Sequence, residues 1–168
     1  TLRRGGIAAP LRQALTSRLI ALSRAHDVLT TENWSGADLD EIVAKAAAPY
    51  QPEASDPRLR WRGPNVRLSP RAAIALAMTL HELITNAIKY GALSAPAGHV
   101  ELDWDLSSDG GLRLTWRELG GPPVAPPTRT GFGTRLIQGG LASELGGAVS
   151  VDYAAMGVVC VIEAGSAE

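Results

Sequence analysis

Residues 81–91 read HELITNAIKYG, and this stretch decides the fold because it puts an apolar stripe and a polar edge on one helix. Helical spacing predicts that the stripe lies on a sheet; it comprises Ile74, Met78, His81, Ile84 and Ile88. Glu82, Asn86 and Lys89 follow at spacings of four and three, so they share a neighbouring edge. Magnesium prefers oxygen ligands and keeps several waters, so this edge suits a hydrated magnesium ion with phosphate oxygens.

Other interpretations of the same helix lead to different chemistry. A solvated polar face with an ion pair would show the same spacing of acid and cation. A zinc-protease helix also begins with His-Glu, but it needs a second histidine at position 85, where this chain has Thr85. The spacing leaves the metal edge and the solvated face open, and it excludes the zinc site.

A second feature is a carboxylate that closes an apolar strand. Alternate residues of a strand project from the same face, and Glu118 alternates with the apolar residues Leu112, Leu114 and Trp116. Its side chain is therefore expected to point inward, as theirs do. A buried carboxylate needs a donor, and the exocyclic amine of a purine would be suitable. The glycines at 120–121 would let backbone approach the ring. The alternative is an edge glutamate that reaches water or an arginine.

A third feature is a pair of glycines that opens a helix. Residues 130–137 read TGFGTRLI, and backbone N–H groups at such a helix start attract anions. The pattern is not a Rossmann fingerprint, because Leu136 occupies the third glycine position. It is not a Walker loop either, because the chain contains no Gly-Lys pair. A phosphate site is predicted here.

The flanking pattern predicts helices on one face of a mixed, mostly antiparallel sheet, which is an α+β two-layer sandwich. Ser35 and Asp38 resemble a capping box, Ser69 caps the long helix and Gly91 stops it. Helices are expected at residues 10–29, 35–50, 70–90 and 134–145, and strands near 59–62, 100–106, 112–117, 148–153 and 158–163.

The first helix carries a stripe of its own. Its members are spaced four and three apart and comprise Leu15, Leu19, Leu22, His26 and Leu29. Such a stripe fits packing on another helix, in this chain or in a second subunit. An ordinary amphipathic helix lying on its own domain would show the same spacing.

The composition indicates a globular protein and argues against a general nucleic-acid-binding or membrane-binding protein. The 168 residues are 45% hydrophobic with a net charge of -1, which is typical of a globular protein without general affinity for nucleic acid or membrane. No apolar run approaches the roughly 20 residues that cross a bilayer, so we expect a cytoplasmic location. Cys160 is the only cysteine, and its apolar neighbours predict a buried strand residue.

Together, the three features resemble the GHKL (Bergerat) ATP-binding fold shared by histidine kinases, gyrase and mismatch-repair ATPases. Residues 82–91 resemble its N box, 118–120 its first glycine box and 131–134 its second. His81 and the Trp-x-Glu at Trp116 are similar to the signature of the HWE histidine kinases. Residues 22–27, LSRAHD, resemble the end of that family's dimerisation helices.

The resemblance implies ATP and Mg²⁺ as cofactors. Asn86 would bind magnesium, and Glu82 would be the catalytic residue that assists the metal or polarises the transfer. Glu118, in place of the more usual aspartate, would accept the adenine amine. Further contacts to ribose or phosphate would come from Lys89, Tyr90, Gly120, Gly131, Phe132, Gly133 and Thr134. Residues 121–130 would form a reduced lid over the ATP.

His81 and Trp116 both point inward in this interpretation. We expect their rings to pack on each other behind the nucleotide, where they would position the site and not react.

The resemblance also implies two domains: residues 1–34, the C-terminal part of the dimerisation helices, and residues 35–168, the ATP-binding catalytic domain. The family's His-Arg-x-x-Asn-like phosphoacceptor segment does not occur, and neither His26 nor His99 is assigned that role. Truncation is the simplest explanation, and the γ-phosphate would go to a histidine outside this chain.

Expected partners are a response regulator, the protein's own dimerisation helix or a second subunit, and an upstream sensor domain. A GHKL ATPase, a serine kinase or a non-catalytic pseudokinase remain alternatives.

Overall fold

The computed structural model describes residues 9–31, 35–51, 57–126, 139 and 142–166. The helices are α1 (Ala9–Thr31), α2 (Leu39–Ala47), α3 (Pro70–Lys89) and α4 (Ala142–Leu145), and short 3₁₀ turns span Ala48–Tyr50 and Ala92–Ser94. The strands are β1 (Ala37–Asp38), β2 (Leu59–Arg62), β3 (Arg67–Leu68), β4 (His99–Leu106), β5 (Gly111–Leu119), β6 (Ala148–Ala154) and β7 (Gly157–Ser166).

Five strands form one mixed sheet in the order β2-β4-β5-β7-β6. The β2–β4 pair is parallel and the other three pairs are antiparallel, whereas β1 and β3 form a separate antiparallel ribbon. Val100, Leu102 and Trp104 of β4 join the core with α3, and the alternate residues Glu101 and Asp103 are less buried. The predicted α+β sandwich is confirmed.

The long helix α3 begins as predicted but buries a different stripe. Ser69 accepts a hydrogen bond from the Ala72 N–H at 3.4 Å, and Pro70 follows at the first helical position. Of the five predicted stripe residues, His81 and Ile84 are buried and Ile74 and Met78 are half-buried, but Ile88 is 38% exposed. The expectation for Ile88 is wrong.

The residues of α3 that are buried most deeply include Leu76, Leu80 and Ala87, all at most 1% exposed. The physical reason for the shift is that α3 packs against the strands and also against α1 and α2. A helix covered on several sides is apolar around most of its circumference, so one stripe could not be chosen from spacing.

The capping box predicted before α2 does not form. Asp38 is the N-cap residue but makes no side-chain bond to the first turn. The Ser35 hydroxyl instead accepts a hydrogen bond from Arg67 Nη2 at 2.9 Å, and Arg67 Nη1 lies 3.4 Å from Asp38 Oδ1. The extended ribbon between β1 and β3 puts both side chains next to Arg67, which explains the error.

The end of α3 at Gly91 is confirmed, but the reason for the glycine differs. Its φ is −110°, so no left-handed turn requires it. A Cβ at Gly91 would overlap Glu118 Oε2 and approach Ala87 Cα to 3.0 Å. The position therefore needs glycine because of a close approach.

The first helix packs against α3, and among its described side chains Ala21 is buried and Arg18 bonds to Glu82 of α3. Ala21 is 5% exposed, whereas Leu15, Leu19 and Leu22 are 43%, 66% and 43% exposed. The alternative in which these leucines lie on their own domain is therefore wrong; the Leu29 side chain is outside the described residues. Within the described residues, no helix is both long and apolar enough to span a membrane.

The single cysteine lies in the core. Cys160 of β7 is 0% exposed, as predicted, and burial raises the pKa of its thiol to about 12.

Candidate functional site

A buried carboxylate joins the end of β5 to the residues that follow α3. Glu118 is 3% exposed, so the alternative of a solvated edge glutamate is wrong. Its Oε2 accepts a hydrogen bond from the Ala92 N–H at 2.9 Å, and its Oε1 accepts one from Trp116 Nε1 at 3.3 Å. Burial raises the pKa of Glu118, and the two hydrogen bonds act in the opposite direction.

The Trp-x-Glu spacing has a direct structural explanation. Two residues apart on β5, Trp116 and Glu118 project from the same face, so the indole N–H reaches the carboxylate. An ionised carboxylate offers about four acceptor positions. The two bonds described above leave acceptor capacity on Glu118 for a further donor.

Glycines let three backbone segments meet around this carboxylate. An ideal Cβ at Gly121 would lie 2.5 Å from Ala92 Cα. One at Gly120 would lie 2.9 Å from the Ala97 carbonyl oxygen, and Gly120 also has a φ of +70°, which favours glycine. The glycines thus accommodate the backbone of residues 92–98; a role for Gly120 beside a purine ring stays a prediction.

The polar edge of α3 divides into a buried and an exposed part. Glu82 is 8% exposed and forms an ion pair with Arg18 of α1, at 2.7 Å between Oε1 and Nε. Asn86 and Lys89 are exposed, and Tyr90 is 72% exposed. Sequence reasoning missed Arg18 because 64 residues separate it from Glu82. The structure therefore brings Asn86, Lys89 and Tyr90 to the end of α3 that leads to Glu118.

The two buried aromatic residues of the signature have other neighbours in addition. His81 is 8% exposed, and its Nδ1 lies 3.4 Å from the hydroxyl of Tyr50, a residue that sequence reasoning did not connect with the site. Trp116 is 1% exposed and donates to Glu118. Both side chains point inward, as predicted, and the packing of their rings on each other stays a prediction.

The second glycine segment is known from its sequence, TGFGTRLI at residues 130–137. Gly131, Phe132, Gly133 and Thr134 lie outside the described residues, as do residues 127–130 of the predicted lid. Their phosphate-binding role stays a prediction.

An arginine that sequence reasoning missed holds the residues after α3. Arg58 Nε donates to the Gly98 carbonyl at 2.9 Å, and Nη2 donates to the carbonyls of Ala95 and, at 3.5 Å, Ala92. A lone arginine before a short strand carries no periodic or motif signal, so the sequence offered no way to identify it.

The described side chains fit a nucleotide with a metal ion. Glu118 offers a buried acceptor, and Asn86 offers an exposed amide oxygen near the same end of α3. Within the described part of the chain, no three His, Cys, Asp or Glu side chains group into a metal site.

Comparison with known proteins places the chain in a family. The HWE histidine kinase model matches residues 1–65. A blue-light-activated histidine kinase of Brucella ovis is 42% identical over 147 residues, which are 86% of this chain and 30% of that protein. The chain thus spans less than a third of this curated relative.

Solved structures agree on the fold. The histidine kinase domain of the Erythrobacter litoralis EL346 blue-light activated histidine kinase has a TM-score of 0.71 at 18% identity, covering 90% of this chain and 79% of that one. The nucleotide-free catalytic domain of histidine kinase ThkA has a TM-score of 0.59 at 16% identity, covering 79% and 96%. The solved structures share the fold of this chain, and by sequence it belongs to the HWE histidine kinases.

Proposed function

We propose that this segment is the ATP-binding catalytic part of a two-component sensor histidine kinase, which transfers the γ-phosphate to a histidine outside the chain. The observation that carries the proposal is Glu118, a carboxylate 3% exposed at the junction of β5 with the end of α3, with acceptor capacity to spare. Buried carboxylates are costly unless donors surround them, so such capacity suits a ligand N–H.

Glu118 would accept the exocyclic amine of adenine. Trp116 and the Ala92 N–H would hold the carboxylate in place through the hydrogen bonds at 3.3 and 2.9 Å. Gly120 and Gly121 would let the backbone of residues 92–98 pack closely beside the adenine site, because any Cβ at either position would collide with that backbone. His81 would support the site from the core.

The exposed residues of the last turn of α3 would bind the rest of the nucleotide. Asn86 would supply an amide oxygen to Mg²⁺, and Lys89 and Tyr90 would contact phosphate or ribose. When bound, the metal supplies charge neutralisation for the phosphates. The further phosphate contacts would come from Gly131, Phe132, Gly133 and Thr134.

Glu82 would assist the transfer as a catalytic carboxylate next to Asn86 on the polar edge. Its ion pair with Arg18 at 2.7 Å would hold the carboxylate in position until the acceptor histidine arrives.

We place residues 1–34 in the dimerisation helices and residues 35–168 in the catalytic domain. The exposed leucines of α1, Leu15, Leu19 and Leu22, suit a partner helix from the same chain or a second subunit. The full-length protein would then be a cytoplasmically exposed phosphoprotein with an upstream sensor domain, and a response regulator would receive its phosphate.

A second candidate is a nucleotide-binding regulatory module without catalysis. The Arg18–Glu82 pair favours it, because the arginine occupies an oxygen of the carboxylate that would otherwise assist the transfer. The two candidates share the ATP site and differ in transfer.

Phosphotransfer distinguishes them. The chain is incubated with Mg²⁺ and γ-labelled ATP, together with a fragment of the same protein that carries the upstream helix and its histidine. We expect acid-labile, base-stable label on that fragment and none on its His→Ala variant. ATP binding without transfer supports the regulatory module, and steady hydrolysis without transfer supports a GHKL ATPase.

A further inference from the structure

Arg58 holds the segment between α3 and β4 by its carbonyl groups. The segment is residues 92–98, called the 92–98 turn from here on. The half-buried guanidinium donates from Nε to Gly98 at 2.9 Å, and from Nη2 to Ala95 and, at 3.5 Å, to Ala92. The first and last residues of the turn are therefore tied to one side chain.

The opposite side of the turn forms a wall of the candidate nucleotide site. The Ala92 N–H donates to Glu118 Oε2 at 2.9 Å. Ala92 Cα and the Ala97 carbonyl oxygen occupy the space where side chains would stand at Gly121 and Gly120. The turn thus lies between Arg58 and the carboxylate proposed to bind adenine.

The turn has few internal bonds that could fix its position. It begins with a single 3₁₀ turn, Ala92–Ser94, and is bonded internally from Ala95 N to Ala92 O at 3.2 Å and from Gly98 N to Ala95 O at 3.1 Å. The carbonyls of Ala92, Ala95 and Gly98 converge on Arg58, whose planar guanidinium can donate to several acceptors at once. A lysine ammonium would lack this fixed fork.

We propose that Arg58 is a positioning residue for adenine recognition: by holding the 92–98 turn, it holds the Ala92 N–H and the Glu118 carboxylate where the base binds. The inference rests on the proposed function, because it needs ATP to bind beside Glu118. Arg58 would act through the turn and not by contact with the nucleotide, so its loss should weaken recognition of the base and leave the binding of the phosphates unaffected.

The test compares Arg58→Gln with the matched control Arg113→Gln, each made in the full-length chain. Arg113 lies at the other end of β5 from Glu118 and pairs with Glu163 at 3.2 Å on an exposed surface. The readouts are the affinities for Mg-ATP, Mg-GTP and inorganic triphosphate. For Arg58→Gln we expect about tenfold weaker ATP binding, because one charge-assisted hydrogen bond contributes on that scale. We also expect the affinity for Mg-ATP to fall more than the affinity for Mg-GTP.

Triphosphate affinity should be unchanged in Arg58→Gln, and Arg113→Gln should match the wild type throughout. Equal losses for ATP and triphosphate would overturn the role of Arg58, as would an unchanged ATP affinity. A wild-type chain that binds no ATP would instead overturn the proposed function.

A second measurement covers the case in which Arg58→Gln does not fold. Arg58→Lys keeps the charge but not the fork, and NMR hydrogen exchange reports on the Ala92 amide directly. We expect that amide to exchange at least several-fold faster in Arg58→Lys than in the wild type, with core amides of β4 unchanged. Equal exchange at Ala92 would overturn the inference.

Discussion

Arg18 Nε lies 2.7 Å from Glu82 Oε1, and this ion pair joins the leading helix to the polar edge of α3. The two side chains are 21% and 11% exposed, so water screens the pair less than it screens a surface pair. Any movement of α1 away from α3 would therefore leave Glu82 without this partner. The residue proposed to assist phosphotransfer is thus coupled to the position of α1.

A double-mutant cycle should measure that coupling. Arg18→Ala and Glu82→Ala each remove one partner, and the combined variant removes both. We expect a coupling free energy of about 1–3 kcal/mol from urea unfolding, because breaking a partly buried pair strands the remaining charge. The matched cycle on the more exposed Glu41–Lys45 pair of α2 should give less than about 1 kcal/mol. Additive effects at Arg18 and Glu82 would show that the pair does not tether α1.

Gly91→Ala tests the close approach at the end of α3. The added Cβ would displace Glu118 Oε2, and the displaced carboxylate would lose its bond to the Ala92 N–H. We expect a loss of about 1–3 kcal/mol in the free energy of unfolding. Gly165→Ala is the control, because its nearest neighbour atom would be 3.5 Å away and its backbone is not left-handed. Equal unfolding free energies for the two variants would contradict the proposed contact.

The raised pKa of Glu118 predicts a specific pH dependence of stability. A carboxyl whose pKa is higher in the folded than in the unfolded chain contributes stability below its ordinary value, 4.5, and loses it as the pH rises through the folded pKa. The unfolding free energy of the wild type minus that of Glu118→Gln should therefore fall as the pH rises above about 4.5. If this difference in unfolding free energy stayed constant or rose with pH, burial would not be raising the pKa of Glu118.

Cys160 should be inert in the folded protein. The thiol is 0% exposed, and its pKa of about 12 leaves almost no thiolate at neutral pH. Labelling with a thiol reagent should be slow in buffer and become fast only at denaturant concentrations that unfold the sheet. Rapid labelling under native conditions would place β7 outside the core.

Most of the fold could be predicted because local signals were strong. Helix α3 begins at Ser69 and Pro70, because a serine caps a helix and the fixed φ of proline suits its first position. The alternation of apolar and polar residues around Trp104 and Trp116 indicated the paired strands β4 and β5. The inward direction of Glu118 followed from strand parity alone. Each of these inferences depends on neighbours within a few residues, which a sequence displays directly.

The remaining features depend on distant contacts that no local pattern encodes. Ile88 was assigned to the buried stripe because spacing cannot tell which side of a helix faces a second layer of helices. Ser35 bonds to Arg67 instead of capping α2, since residues far along the chain form the ribbon partner. The partners of Glu82 and of the 92–98 turn, Arg18 and Arg58, were missed for the same reason.

Magnesium-dependent ATP binding is the most direct test of the central proposal, that one nucleotide is held between the end of α3 and the end of β5. Calorimetric titration of ATP, with and without Mg²⁺, is done on the wild type, on Asn86→Ala and on Arg71→Ala, an exposed control on the first turn of α3. We predict saturable binding that magnesium strengthens in the wild type and in Arg71→Ala, and loss of the magnesium effect in Asn86→Ala. Equal magnesium-dependent binding by all three proteins would contradict the assignment of Asn86, and no binding by the wild type would contradict the site itself.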